Sequence, residues 1–247
     1  RCSGRSRVVE AKLQTGALRR CALLFAFATF AACGPSGPVK VLVIGDSLSV
    51  HGSRFVTGDV RGPAYVDGLS ALLGEGYEIE SVACGGASAI DWSTSKPGIL
   101  CDTDKVNAVP RGLFRDRALP KLPADVALVL LGTNDAMGFM ELRGRVDTKS
   151  FRLAIEELLD ALDDAGVDDV ILAIPPDSVF IRYHERLVEY RAVLQSLCAE
   201  RSNVACGPDF FAVLDPVWHF PGGDIHPNAE GHQQMAEAFA ASLRQLR

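Results

Sequence analysis

The sequence has no basic patch, no cysteine and histidine spacing typical of a zinc site, and no internal repeat among its 247 residues. Without a basic surface, non-specific binding to nucleic acid is excluded, so no nucleic-acid partner is expected. The net charge is −6, but residues 1–32 carry a net of +5, so the rest of the chain holds −11. Hydrophobic residues make up 48% of the sequence, which suits one globular domain with a substantial core.

The apolar run near the N-terminus, residues 21–30, is too short to span a bilayer. It follows a pair of arginines and precedes Ala31-Ala32-Cys33 and a Gly/Pro/Ser tether. This order resembles a bacterial lipoprotein signal with Cys33 as the lipidated residue, although Phe30 stands where leucine is usual; ordinary secretory cleavage is the alternative. We therefore predict a leader and tether at residues 1–37 and one folded domain at residues 38–247. The expected location is outside the cytoplasm, as a secreted protein or a periplasmic or cell-envelope lipoprotein.

Four cysteines lie beyond the leader: Cys84, Cys101, Cys198 and Cys206. An even number in an oxidising compartment is typical of disulfides, and three pairings are possible. We favour Cys84–Cys101 and Cys198–Cys206, because each closes a short loop. Four buried free thiols are the alternative.

Strand patterns alternate with helix patterns along the folded part of the chain. Strands are predicted at residues 39–45, 77–83, 125–131, 167–174 and 203–206, and helices at residues 63–75, 148–165, 183–199 and 227–246. Residues 84–122 are rich in Gly, Pro, Asp and Ser and form a long loop, of the kind that is usually functional. The alternation predicts an α/β fold, a three-layer α/β/α sandwich around a mostly five-stranded parallel sheet. Ligands bind such sheets beyond the carboxyl ends of the strands.

Three short motifs follow this pattern and carry residues suited to acyl transfer. Gly45-Asp46-Ser47-Leu48-Ser49 follows the first strand, and Ser47 is presented either as a nucleophile or as a helix N-cap. Asn134, in Gly132-Thr133-Asn134-Asp135, carries an amide that can stabilise an oxyanion, or is a turn asparagine. His226, in Asp224-Ile225-His226-Pro227-Asn228, suits a general base, with His219 as the second candidate.

In this order, the three motifs resemble the SGNH (GDSL-type) family of esterases and lipases, over roughly residues 39–240. The resemblance implies an SGNH-hydrolase, flavodoxin-like fold and two-step ester hydrolysis without a metal or organic cofactor. It implies Ser47 as nucleophile, His226 as base, and an oxyanion hole made by the backbone N–H groups of Ser47 and Gly86 and the amide of Asn134. Gly85 is the alternative to Gly86.

The acidic member of the site departs from the family pattern. The family places its aspartate three residues before the histidine, where this chain has Gly223, whereas Asp224 comes two residues before it. Positions two apart in an extended turn point the same way, so we expect Asp224 to orient His226. Asp215 is another candidate, and a Ser–His dyad with a backbone carbonyl is the alternative.

The motifs do not name the substrate. Trp92 lies between Cys84 and Cys101 in a stretch that looks like the disulfide-pinned loop of exported family members, so it is a candidate to stack on a sugar or line an acyl site. Core packing is the alternative for this ring. We expect a small-molecule or glycan ester, most simply an O-acetyl or short-acyl ester on a carbohydrate. The alternatives are a lipase or lysophospholipase, a carbohydrate O-acyltransferase, and a non-catalytic glycan-binding module. A membrane contact is expected only through the lipid anchor.

Overall fold

The structure is a computed structural model, which describes residues 37–52, 54–58, 62–94, 101, 112–138 and 145–246. Gly37–Arg247 forms one compact unit. Apart from Gly37, the predicted leader lies outside the described residues, as does Cys33. The leader and its lipidation therefore remain predictions. None of the helices in the described ranges is both long enough and apolar enough to cross a membrane.

Five parallel strands form the central sheet, in the order β2-β1-β3-β4-β5. The three strands in the middle of the sheet are largely apolar and almost wholly buried, as expected for strands that are covered on both faces. The strands are β1 (Val39–Gly45), β2 (Tyr77–Ser81), β3 (Val126–Leu130), β4 (Asp169–Ile174) and β5 (Val204–Asp209). The carboxyl ends of β1 and β3 are in register, with Gly45 opposite Leu130, so the segments that follow these two strands lie side by side.

Seven α-helices occur in the described ranges, of which four are long enough to cover the sheet. They are α1 (Tyr65–Leu73), α2 (Ala89–Trp92), α3 (Thr133–Met137), α4 (Thr148–Asp164), α5 (Ile181–Glu200), α6 (Phe210–Val213) and α7 (Ala229–Gln245). Helices α1 and α7 pack on one face of the sheet, where Leu69 and Phe239 join a core with Val43. Helices α4 and α5 pack on the other face, where Leu158 and Tyr190 join a core with Val129. The predicted three-layer α/β/α sandwich is confirmed.

Several element boundaries differ from those predicted. Gly74 ends α1 as expected, with a φ of 65°. Pro227, which we placed in the first turn of the last helix, precedes that helix. Asn228 is the N-cap, and its side chain accepts a hydrogen bond from Gly231 N at 2.9 Å. Residues 84–122 contain α2 and a short π-helical turn at Phe114–Ala118, so the predicted loop is partly helical.

Candidate active site

Ser47 lies just beyond the carboxyl end of β1, in a single 3₁₀ turn, Ser47–Ser49. The Asp46 carboxylate caps this turn by accepting a hydrogen bond from Leu48 N at 2.9 Å. Gly45 makes the turn possible, because a Cβ there would overlap the Ser49 side chain and lie 3.0 Å from the carbonyl oxygen of Leu130. The turn therefore holds Ser47 at the sheet edge, where its residue is 6% exposed.

The structure brings Ser47, His226 and Asp224 into one hydrogen-bonded line. Ser47 Oγ lies 2.9 Å from His226 Nε2, and His226 Nδ1 lies 3.0 Å from Asp224 Oδ1. With the Nδ1 proton donated to the carboxylate, Nε2 is free to accept the serine proton. Asp224 also accepts the backbone N–H groups of Ile225 at 2.6 Å and His226 at 3.0 Å, which fixes its carboxylate beside the ring. The departure from the family spacing is thus compatible with a Ser–His–Asp arrangement.

A segment that the sequence analysis did not identify packs against the His226 ring and bonds to its backbone. Phe55 stacks on the ring, with centroids 4.9 Å apart, and Thr57 Oγ donates to the carbonyl oxygen of His226 at 2.8 Å. Burial by these neighbours lowers the pKa of His226, and the Asp224 carboxylate acts in the opposite direction. The net effect favours the neutral imidazole, which is the form that can accept a proton.

Asn134 lies in the first turn of α3, beyond the carboxyl end of β3, and is 5% exposed. Its Nδ2 donates to the carbonyl oxygen of Ala87 at 3.0 Å and to Asp46 Oδ2 at 3.2 Å. Gly86 lies in the adjoining turn with a φ of 79°, a conformation that favours glycine. The amide therefore joins the turn that carries Ser47 to the turn that carries Gly86. To donate to a ligand, it would have to exchange one of these two bonds, of which the one to Asp46 is longer.

Two buried carboxyl groups lie beside this amide. The pKa values of Asp46 and Asp135 are both raised to about 7, chiefly by burial, and the charge of Asp46 contributes to the rise at Asp135. Both carboxyl oxygens of Asp135 face the backbone N–H of Ala89, at 3.0 and 2.9 Å. Asp135 thus holds the start of α2, immediately after the Gly86 turn, against α3.

Trp92 lies in the core, and this corrects the expectation that it contacts substrate. The residue is 0% exposed, and its Nε1 donates to the carbonyl oxygen of Gly45 at 3.1 Å. The same carbonyl accepts the Cys84 N–H at 3.1 Å. A ring enclosed on all sides cannot stack on a sugar, so Trp92 instead fastens α2 to the strand end that precedes Ser47.

Both favoured disulfide pairings are confirmed. Cys84 is bonded to Cys101, which ties down the chain next to the Gly86 turn. Cys198 is bonded to Cys206, which joins α5 to β5.

Comparison with known proteins identifies the family. Residues 43–234 match the model of the GDSL-like Lipase/Acylhydrolase family, a span that includes Ser47, Gly86, Asn134 and His226. The chain belongs to the GDSL-like lipase/acylhydrolase family. It is therefore an ester-hydrolysing enzyme, as the resemblance of its motifs predicted. Among curated protein sequences, no significant match was found.

Solved structures share the fold of this GDSL-family enzyme at low sequence identity. A carbohydrate acetylesterase family member from Sinorhizobium meliloti is 19% identical, with a TM-score of 0.61, over 84% of this chain and 98% of that one. A catalytic mutant of an acetylxylan esterase from Geobacillus stearothermophilus is 19% identical, with a TM-score of 0.59, over 84% and 95%. A lipase/acylhydrolase from Enterococcus faecalis is 17% identical, with a TM-score of 0.60, over 84% and 96%.

The remaining candidates are held in other contacts of the GDSL fold. The ring of His219, 5% exposed, lies 2.8 Å from Asp215 N and 3.1 Å from the Gln234 side chain. The Asp215 carboxylate accepts the backbone N–H groups of Val217 and Trp218, at 2.8 and 2.9 Å. Neither His219 nor Asp215 therefore joins the Ser47–His226 pair.

His232 contacts the residue that stacks on His226, a role that the sequence analysis did not identify. Its Nδ1 accepts the Tyr65 N–H at 3.2 Å, and its Nε2 lies 3.3 Å from the carbonyl oxygen of Phe55, the residue stacked on His226. Burial lowers the pKa of His232 to about 4, so the ring is neutral at pH 7 and Nε2 carries the proton that it donates. Nothing in the local sequence marks this contact, because Phe55 and His232 lie 177 residues apart.

A cleft of about 550 Å³ opens beside His226. Its walls combine apolar side chains with one arginine: Met137, Phe180, Tyr183, Ile225 and Arg182. The Asp224 and His226 side chains also line it, so a molecule in the cleft would lie against the hydrogen-bonded line. In the described ranges, no group of three or more His, Cys, Asp or Glu side chains is placed to hold a metal ion.

Proposed function

We propose that the chain is an exported serine esterase that hydrolyses acetyl or other short-acyl esters of a carbohydrate through an acyl-enzyme on Ser47. The observation that carries this proposal is the line from Ser47 Oγ through His226 to Asp224, with contacts of 2.9 and 3.0 Å. Both distances are within hydrogen-bond range, as proton transfer from Ser47 to His226 requires, and this geometry is present without a bound substrate.

In the first step, Ser47 Oγ attacks the ester carbonyl carbon while His226 Nε2 takes the serine proton. The backbone N–H groups of Ser47 and Gly86 and the amide of Asn134 donate to the oxyanion that forms. When the intermediate collapses, the bond to the leaving oxygen breaks, and His226 returns its proton to that oxygen. The alcohol leaves, and the acyl group remains on Ser47.

In the second step, water takes the place of the alcohol. His226 removes a proton from the water, whose oxygen attacks the acyl carbon. The Ser47–acyl bond breaks, the carboxylic acid leaves, and the proton passes from His226 to Ser47 Oγ, which restores the starting state. Asp224 stabilises the imidazolium that forms in each step and holds the ring in one tautomer.

Two features support a carbohydrate acetyl ester as the substrate. Solved structures that share the fold over 84% of this chain include a carbohydrate acetylesterase family member and a mutant of an acetylxylan esterase. The predicted export would give the enzyme access to polymers outside the cytoplasm.

A longer acyl chain is the second candidate, because the cleft beside His226 is largely apolar. Met137, Phe180, Tyr183 and Ile225 offer a surface on which several methylene groups can be buried. A series of p-nitrophenyl esters from acetate to laurate separates the candidates: an acetylesterase is fastest on acetate, whereas a lipase gains rate with chain length.

The proposal is tested with the full chain, Ser47→Ala and a matched control, Ser49→Ala. Ser49 lies in the same turn, but its Oγ accepts a hydrogen bond from the Tyr65 hydroxyl at 2.9 Å. We expect a fluorophosphonate probe to label wild type and Ser49→Ala but not Ser47→Ala, and ester turnover to follow the label. Turnover that persists in Ser47→Ala would contradict the proposal. Transfer of acetyl groups between sugars without free acetate would instead indicate an acyltransferase, and glycan binding without labelling would indicate a binding module.

Export and lipidation form a separate part of the proposal and rest on residues 1–37 alone. In a bacterial host, we expect the protein in the envelope fraction, with Cys33 carrying the lipid. A lipoprotein signal peptidase inhibitor should then slow its migration on a gel, and Cys33→Ala should remove that response. Unchanged migration of the wild type would overturn lipidation, and a cytoplasmic protein would overturn export.

A further inference from the structure

Two large apolar residues outside the cleft are unusually exposed. Val217 is 75% exposed and Trp218 is 65% exposed, the highest values among the large hydrophobic residues in the described ranges. An exposed tryptophan commonly marks a place where a ligand or partner binds.

Trp218 is held rigidly despite its exposure. Its backbone N–H donates to Asp215 Oδ1 at 2.9 Å, and its carbonyl oxygen accepts the Asn228 side-chain amide at 3.0 Å. Its indole Nε1 donates to Glu230 Oε2 at 2.9 Å. Both sides of the backbone and the polar edge of the ring are therefore fixed while the ring stays in solvent. A ring that is ordered before binding loses little entropy when a ligand covers it.

The ring is tied to the elements that carry the candidate base. Asn228, which holds the Trp218 carbonyl, comes two residues after His226 and caps α7. The Asn228 backbone N–H donates to the carbonyl oxygen of His219 at 2.7 Å, so the loop that bears Trp218 is fastened to the loop that bears His226. A ligand on the ring would lie on the same loop assembly as the reacting groups.

We propose that Trp218 is the stacking platform of a binding subsite for a neutral polysaccharide. The flat apolar faces of pyranose rings stack on exposed indoles, and the Glu230 carboxylate at the ring edge can accept hydrogen bonds from sugar hydroxyls. Glu230 also lines a groove of about 740 Å³ between α1 and α7, where Gln233 and Glu237 supply further polar groups. The chain beyond residue 32 carries a net charge of −11, which disfavours an acidic polymer and an anionic membrane and makes a neutral chain the best match. This inference rests on the proposed function for the identity of the ester, but not for the binding itself.

The binding test uses the full chain carrying Ser47→Ala, so that no ligand is consumed. Affinity electrophoresis in xylan, mannan and soluble cellulose oligosaccharides identifies the neutral polymer, and fluorescence titration measures its Kd. Because Trp92 is buried away from any ligand, the change in tryptophan fluorescence on ligand binding reports on Trp218. We expect Trp218→Ala to weaken binding by about tenfold, the typical loss for an aromatic anchor. Trp218→Phe keeps an aromatic face and should restore most of the affinity, and Val217→Ser is the matched control and should bind like the parent.

Two sets of results would overturn the inference. One is a parent protein that binds none of the polymers, or a Trp218→Ala variant with unchanged Kd. The other is binding to vesicles of phosphatidylcholine and phosphatidylglycerol that both Trp218→Ala and Val217→Ser abolish, because both side chains would then enter a membrane.

Turnover separates this inference from the proposed function. On acetylated xylan, Trp218→Ala in the otherwise wild-type chain should raise KM by about tenfold, with a smaller effect on kcat. Polymer binding through Trp218 without ester hydrolysis would overturn the proposed function and leave the platform standing. Hydrolysis of acetylated xylan with the same KM in both proteins would overturn the platform alone.

Discussion

Replacing Asp135 by Asn should make the stability of the protein less dependent on pH. Asp135 is 0% exposed, and its pKa is raised from 3.8 to about 7, so near pH 5 the folded protein keeps a proton that the unfolded chain releases. For a raised pKa, the associated stability is fully present below pH 3.8 and is lost as pH rises through 7. Asparagine carries no such proton and can still accept the Ala89 N–H.

The magnitude follows from the two pH units between 5 and the folded pKa. Each unit is worth about 1.4 kcal/mol. The loss of the Asp135 proton should therefore lower the unfolding free energy of wild type by about 3 kcal/mol between pH 5 and pH 9. The charge of Asp46 is one cause of the raised pKa of Asp135, so its effect is already contained in this magnitude. His226 and His232 have lowered pKa values and titrate with the opposite sign, but they do so in both proteins, and their effect cancels.

The assay is urea unfolding at pH 5, 7 and 9, with the disulfides intact. Asp164→Asn, at the exposed end of α4, is the control for loss of a carboxylate without burial. We expect the free-energy difference between Asp135→Asn and wild type to move in favour of the variant by about 3 kcal/mol across this range. If the unfolding free energies of wild type and Asp135→Asn change equally between pH 5 and pH 9, Asp135 does not hold a proton near neutrality and the reasoning is refuted.

Three further substitutions probe the site. Asp224→Asn should lower kcat by several orders of magnitude, on the order of 10⁴ as for the aspartate of serine proteases. It should also move the acid limb of the pH profile of kcat/KM to lower pH, because Asp224 raises the pKa of His226. A pH–rate profile whose acid limb does not move would favour the Ser–His dyad. Asn134→Ala should reduce kcat by about 10²–10³ with little change in KM, measured by steady-state kinetics; a larger change in KM than in kcat would mean that the amide does not serve the transition state. Trp92→Phe removes the bond to the Gly45 carbonyl but keeps an aromatic ring, and should cost about 1–3 kcal/mol in urea unfolding; an unchanged midpoint would show that the bond contributes nothing.

The fold was predictable because each layer has its own periodicity. Buried parallel strands such as β3 read as continuous apolar runs, and α4 carries a regular apolar stripe, so their order along the chain leaves few possible topologies. The ends of elements were less predictable. Pro227 suits a first helical turn in general, but here the Asn228 side chain supplies the cap.

Part of the site was also predictable, because its motifs follow strands. Ser47 and Asn134 come directly after β1 and β3, which lie side by side, so their proximity follows from the sheet order. The stacking of Phe55 on His226 and the support from His232 depend on contacts between distant segments that no local pattern encodes. Trp92 shows the same limit, since its residue type is compatible with a wall of the site and with the core, and only the packing of α2 decides between them.

The most direct test of the account is to trap the acyl-enzyme. The full chain is mixed with an acetyl ester, quenched in acid within the first turnover, and digested for peptide mass spectrometry. The account predicts one acetyl group on the peptide that contains Ser47, no adduct in Ser47→Ala, and an initial burst of alcohol equal to the enzyme concentration if deacylation is the slower step. A protein that hydrolyses the ester but carries the acetyl group on another residue, or that keeps its turnover without Ser47, would contradict it.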